Sequence, residues 1–182
     1  NVIAVAVIAW LCLGLELGLR DLFAFGPLGI APSFVLPLVV FLALSAPPRA
    51  ALWAALVLGI IIDLTWPITR SDGGTLISIG PYALGYLIGA QVVISLRGMV
   101  MAKNPLTLVV LTVFAAIVGQ ILLVAILGIR SSYDPIAFEP IPQLMARLLG
   151  AVMTGASALA MSLVLIPLAP LLGIDPNHPR HR

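Results

Sequence analysis

Among the 182 residues, few side chains inside the apolar stretches are able to do chemistry: Glu16, Asp63, Gln120 and Arg147, together with scattered hydroxyls. Polar groups at membrane depth are costly, so each one kept there marks a structural or functional need. The two histidines, His178 and His181, fall in the polar, proline-broken tail that starts at Asp175. A Ser–His dyad or a His-ligated metal therefore lacks its base or its ligand within the apolar runs. A Gly-x-Ser-x-Gly elbow is absent, as is a glycine-rich phosphate cradle. Aspartyl chemistry needs two carboxylates sharing a proton, and only Glu16 is on hand for Asp63. Cys12 is the sole cysteine, which excludes a disulfide framework and a thiol metal cluster and reads as packing. The inventory points away from an enzyme and calls for no cofactor or metal.

The elements that must position these groups are apolar runs. Hydrophobic residues make up 62% of the chain and charged ones 9%, with a mean hydropathy of +1.20. Soluble domains carry about 25% charged residues, so the expectation is an all-α polytopic membrane protein in one domain, 1–182. Six runs stand out, at 2–19, 30–45, 50–66, 76–96, 105–129 and 143–172. No segment between them is long enough for a soluble domain, and a net charge of +2 gives no nucleic-acid surface. The first run has no basic stretch before it, and Glu16-Leu17-Gly18-Leu19-Arg20 is a poor cleavage site, so it reads as a span rather than a signal peptide. Run 30–45 is short. Pro32 fits a first helical turn, Pro37 is expected to kink the interior, and a span is favoured over a re-entrant segment because only Ala46-Pro47-Pro48-Arg49 follows before the next run.

Six spans put both termini on one side, with Arg49, Arg97, Lys103, Arg180 and Arg182 against Arg20, Arg70, Arg130 and Arg147 opposite. The basic majority predicts cytoplasmic termini. Asp21, Asp72, Asp134 and Glu139 fall on the outer side and Asp175 on the inner.

On that topology Glu16 and Asp63, each three residues before its run ends, lie about 5 Å inside the outer edge, and Arg147 about 6 Å. Two readings stand: a buried ion cluster joining spans one, three and six around a small cavity, or three interfacial side chains snorkelling to water. Gln120, midway along its run, is expected to hydrogen-bond a neighbouring helix. Gly14-x-x-x-Gly18 and Gly85-x-x-x-Gly89 fit close helix approach, and Ala151-x-x-x-Gly155 and Ala156-x-x-x-Ala160 continue a small stripe. These serve either bundle packing or a membrane partner. Trp10, Trp53, Trp66, Tyr82 and Tyr86 include interfacial anchors. In the 130–142 connection, prolines are expected to delay the last helix to about Pro142, and Ile136 and Phe138 to lie on the bilayer surface or against a partner.

The passage Leu58-Gly59-Ile60-Ile61-Ile62-Asp63-Leu64, followed by Gly80-Pro81-Tyr82-Ala83-Leu84-Gly85-Tyr86-Leu87, resembles the bacterial rod shape-determining MreD family. Its Gly-x-x-x-Asp-Leu ending carries the resemblance, and size and the six-run profile extend it over the chain. Thr69-Arg70-Ser71-Asp72-Gly73-Gly74 stands as an outer-side insertion. The resemblance implies a non-enzymatic scaffold of the cell-elongation complex in the inner membrane. It would bind an MreC-like single-span protein near MreB, RodA and penicillin-binding protein 2. Such proteins are similar in topology to substrate-binding subunits of energy-coupling-factor vitamin transporters, which supplies the alternative function; its outer-side pocket candidates are Glu16, Asp63, Arg147 and Trp66.

Overall fold

Four of the helices begin on a proline, where the ring's fixed φ suits the first turn and the missing N–H is not needed. They are α3 (Pro48–Thr65), α4 (Pro81–Leu96), α5 (Pro105–Arg130) and α6 (Pro140–Leu168). Ahead of them stand α1 (Val2–Leu19) and α2 (Val35–Ser45). The computed structural model describes residues 2–24, 30–69, 73–100, 104–134, 136 and 138–170. The tail with His178 and His181, and Arg70, Asp72 and Lys103 of the charge distribution, lie outside the described residues.

This is an all-helical membrane protein, apart from one two-stranded hairpin. Helices α1, α3, α5 and α6 are each long and apolar enough to cross a membrane; α2 and α4 are shorter apolar helices. The hairpin pairs β1 (Ile68–Thr69) with β2 (Thr75–Leu76), Ile68 opposite Leu76. Gly73, at φ +83°, supplies the left-handed turn between the strands. The hairpin's second strand takes up Thr75 and Leu76, and α4 consequently starts at Pro81 rather than at 76. Helix α6 starts at Pro140, ahead of the expected Pro142, because a proline at the first helical position is tolerated.

Helix α2 is the centre of the fold. Its sequence is apolar on every side, as suits a helix with no solvent face, and every residue from Val35 to Leu44 is buried. It contacts all five other helices, while α3, α4, α5 and α6 pack in chain order around it. The helix is only 11 residues long, about 17 Å, and residues 30–34 before it are not helical. Pro37 therefore sits in the first turn, where no N–H is required, and the expected interior kink is absent.

Small residues set the closest approaches. A Cβ on Gly59 would lie 2.5 Å from Ala83 Cα, so only glycine lets the first turn of α4 rest on α3. Gly85 faces Gly119 and Gly89 faces Ala115 across α4 and α5, and Gly155 meets Val113 across α5 and α6. Gly85, Gly89 and Gly155 are thus consumed inside the bundle, which removes Gly85 and Gly89 as partner candidates. Gly14 and Gly18 have nothing within 4 Å of an added Cβ, and Ala156 and Ala160 are also exposed. Helix α1 packs chiefly on α2 and is otherwise open.

Candidate functional site

The two carboxylates of the apolar runs do the same task at two places. Asp63, near the end of α3 and 2% exposed, accepts from the backbone N–H groups of Gly80 (2.9 Å), Tyr82 (2.9 Å) and Ala83 (3.0 Å). Glu16, near the end of α1, accepts from the N–H groups of Phe34 and Val35 and from the Ser33 hydroxyl. Each carboxylate closes the N-terminus of the next helix, where unpaired N–H groups and the helix dipole favour negative charge. Buried as they are, these donors need an acceptor within the protein. Gly59 and Asp63, one turn apart, act together: the glycine admits the α4 backbone and the acid binds its N–H groups. Leu64, the last residue of that motif, is exposed and touches none of this.

The non-helical backbone before α2 is met in the same way. Ser33 donates its N–H to Thr154 Oγ1 (3.0 Å) and accepts at its carbonyl from the Ser157 hydroxyl (2.6 Å), both on α6. At the other end of α2, Arg97 Nη1 donates to the Ala46 carbonyl (3.3 Å). A central apolar helix thus has an acid at its start and a guanidinium at its end, matching its dipole.

Arg147, two turns into α6, donates through Nη1 to Tyr82 Oη (2.9 Å) and to Gln120 Oε1 (3.1 Å). Its Nε is buried and has no hydrogen-bond partner. The expected ion cluster does not form. Among the described residues no ion pair joins Glu16 or Asp63 to Arg147, because backbone donors occupy both carboxylates; the pair present is Arg130–Asp134 at 3.3 Å. The expectation for Gln120 agrees with the structure, its partner being Arg147 of the neighbouring helix.

Glu16 and Arg147 do face one cavity, of about 170 Å³. Arg20, Ser33, Tyr82, Tyr86, Gln120, Gln143 and Thr154 supply its other polar walls. Asp63 stays outside it but fixes Tyr82 through the backbone. Arg20 lies over the Trp66 ring, 3.7 Å from its centre, a cation–π contact. Tyr82 and Tyr86 meet edge to face; they belong to the cavity and the core, where the sequence suggested membrane anchors. Trp10 and Trp53 are exposed.

Ile136 is buried and Phe138 is half-buried, so Ile136 is not the outward apolar contact expected of the 130–142 connection. Arg130, which also donates to the Ser78 hydroxyl, ties the end of α5 to the residues before α4. Hydropathy alone gives no hint of Ser33, Thr154 and Ser157. The signal that could have found them is a run of hydroxyls on one stretch of α6 facing a proline-rich approach to α2. Compared with family models, with curated proteins and with solved structures, the chain has no match in any of the three.

Proposed function

We propose that this chain is an MreD-like, non-enzymatic scaffold of the bacterial inner membrane that binds an MreC-like single-span protein and so helps maintain rod shape. MreB, RodA and penicillin-binding protein 2 are then its indirect partners. The observation that carries the reading is α1. Its Gly14 and Gly18 face outward with no neighbour, and the helix is held to the bundle mainly through α2. Helices in lipid associate by close packing at small residues and a few polar contacts, and this is the glycine pair of the sequence that the fold leaves open, with Ala156 and Ala160 exposed on α6. All six helices cross the bilayer in this reading. Residues 30–34, at up to about 3.4 Å each, add to α2 enough length for a core about 30 Å thick.

Co-purification from native membranes, with identification of bound proteins, tests the assignment. Gly18→Leu is expected to release the partner while the bundle stays folded. Recovery of an ATPase-containing transporter module, or of a tightly bound vitamin, overturns the scaffold in favour of the transporter subunit. Against that alternative, the cavity is smaller than the roughly 300 Å³ at which pockets for drug-sized ligands begin.

A further inference from the structure

The polar cavity is separate from the open face of α1, and its chemistry is specific. Two guanidinium groups, Arg20 and Arg147, stand on its walls with one carboxylate, Glu16. Glu16 is already bound by the N–H groups of Phe34 and Val35 and by the Ser33 hydroxyl, whereas the Arg147 guanidinium on the cavity wall is paired with no carboxylate among the described residues. Tyr82 and Gln120 hold its Nη1, so the guanidinium plane is fixed before any ligand arrives. A planar fork of N–H donors fits the two oxygens of a phosphate or carboxylate.

We propose that this cavity binds the oxyanion of a small acidic group, phosphate or carboxylate, with Arg147 as the principal donor. Gln143 and Tyr82 stand on the same walls as further donors. The volume of about 170 Å³ suits a lipid headgroup or a free anion and leaves little room for a larger body. The proposal is independent of the scaffold reading, since partner binding and anion binding are measured separately.

The test uses the full chain, purified in a neutral detergent. Its thermal midpoint is followed with inorganic phosphate against chloride at equal ionic strength, then with phosphatidylglycerol against phosphatidylcholine. Native mass spectrometry records any lipid retained. A rise with phosphate assigns a free anion; a rise or a retained adduct confined to phosphatidylglycerol assigns a headgroup. Arg147→Gln is expected to weaken the response at least tenfold in midpoint concentration. Because that change also disturbs Tyr82 and Gln120, the second variant is Gln143→Glu. Residues 143 and 147 are four apart on α6, the spacing at which an acid pairs with a following arginine. This variant supplies an internal anion without removing a contact, so it should fold and respond at least tenfold less. A wild-type protein indifferent to both phosphate and phosphatidylglycerol, as for a cavity that holds only water, overturns the proposal. So does an undiminished response in Gln143→Glu.

Discussion

Asp63 meets three backbone donors with two carboxylate oxygens, and that arithmetic separates it from an ordinary polar contact. An asparagine has one acceptor oxygen and turns an N–H₂ toward N–H groups that need acceptors. Asp63→Asn should therefore cost about 1–3 kcal/mol, the penalty for a buried donor left unpaired, read as a lower thermal midpoint in detergent. Glu16→Gln should cost a similar amount by uncapping α2. The two act on different helix starts, so the double variant is expected to show their simple sum; a large coupling energy would instead require one shared cluster. At the far end of α2, Arg97→Met removes the donor to the Ala46 carbonyl and should destabilise by about 1 kcal/mol, whereas it should leave the anion response of the cavity unchanged.

At the scale of elements, the glycines divide by what stands opposite them. Gly59→Ala places a methyl 2.5 Å from backbone of α4, which cannot move without dislodging Asp63 from its donors. Overpacking of this kind costs about 1–3 kcal/mol and more where backbone must shift. Gly18→Ala meets nothing and should be neutral or stabilise by up to about 1 kcal/mol through helix propensity. The same unfolding assay ranks the two variants, and a tolerated Gly59→Ala would sink the packing account of the Gly-x-x-x-Asp motif. The contrast also explains what the sequence could disclose. Long apolar runs reveal α1, α3, α5 and α6, and an amide at the middle of α5 reveals that Gln120 needs a partner. The late start of α2 is hidden because Pro32 and Pro37 both suit a first turn. The choice is made by tertiary donors and acceptors, with Glu16 taking the N–H groups of Phe34 and Val35 and α6 hydroxyls taking both backbone groups of Ser33. Depth alone likewise places Glu16, Asp63 and Arg147 together, and only the nearby helix starts show why the acids bind backbone instead.

For the whole molecule, the contacts sort the helix ends into two poles without reference to a membrane. Glu16 joins the end of α1 to the start of α2, Asp63 joins the end of α3 to the start of α4, and Arg130 joins the end of α5 to Ser78. Arg147 brings the start of α6 to the same pole through Tyr82. Arg97 joins the end of α4 to the end of α2 at the opposite pole. The cavity pole is outer in the proposed orientation, because the basic residues opposite it number five against four and such residues favour the cytoplasmic side. Cys12, 2% exposed, should be silent toward a membrane-impermeant maleimide, so single cysteines can be added without background. Ser132 and Arg49 are both exposed, and α3, α4 and α5 separate them along the chain. Ser132→Cys is therefore expected to react in intact cells, and Arg49→Cys only after the membrane is permeabilised. The reverse pattern would invert the orientation. Labelling of both from the same side would mean that an even number of those three helices crosses, which removes the six-span arrangement at α4, the shortest of the three.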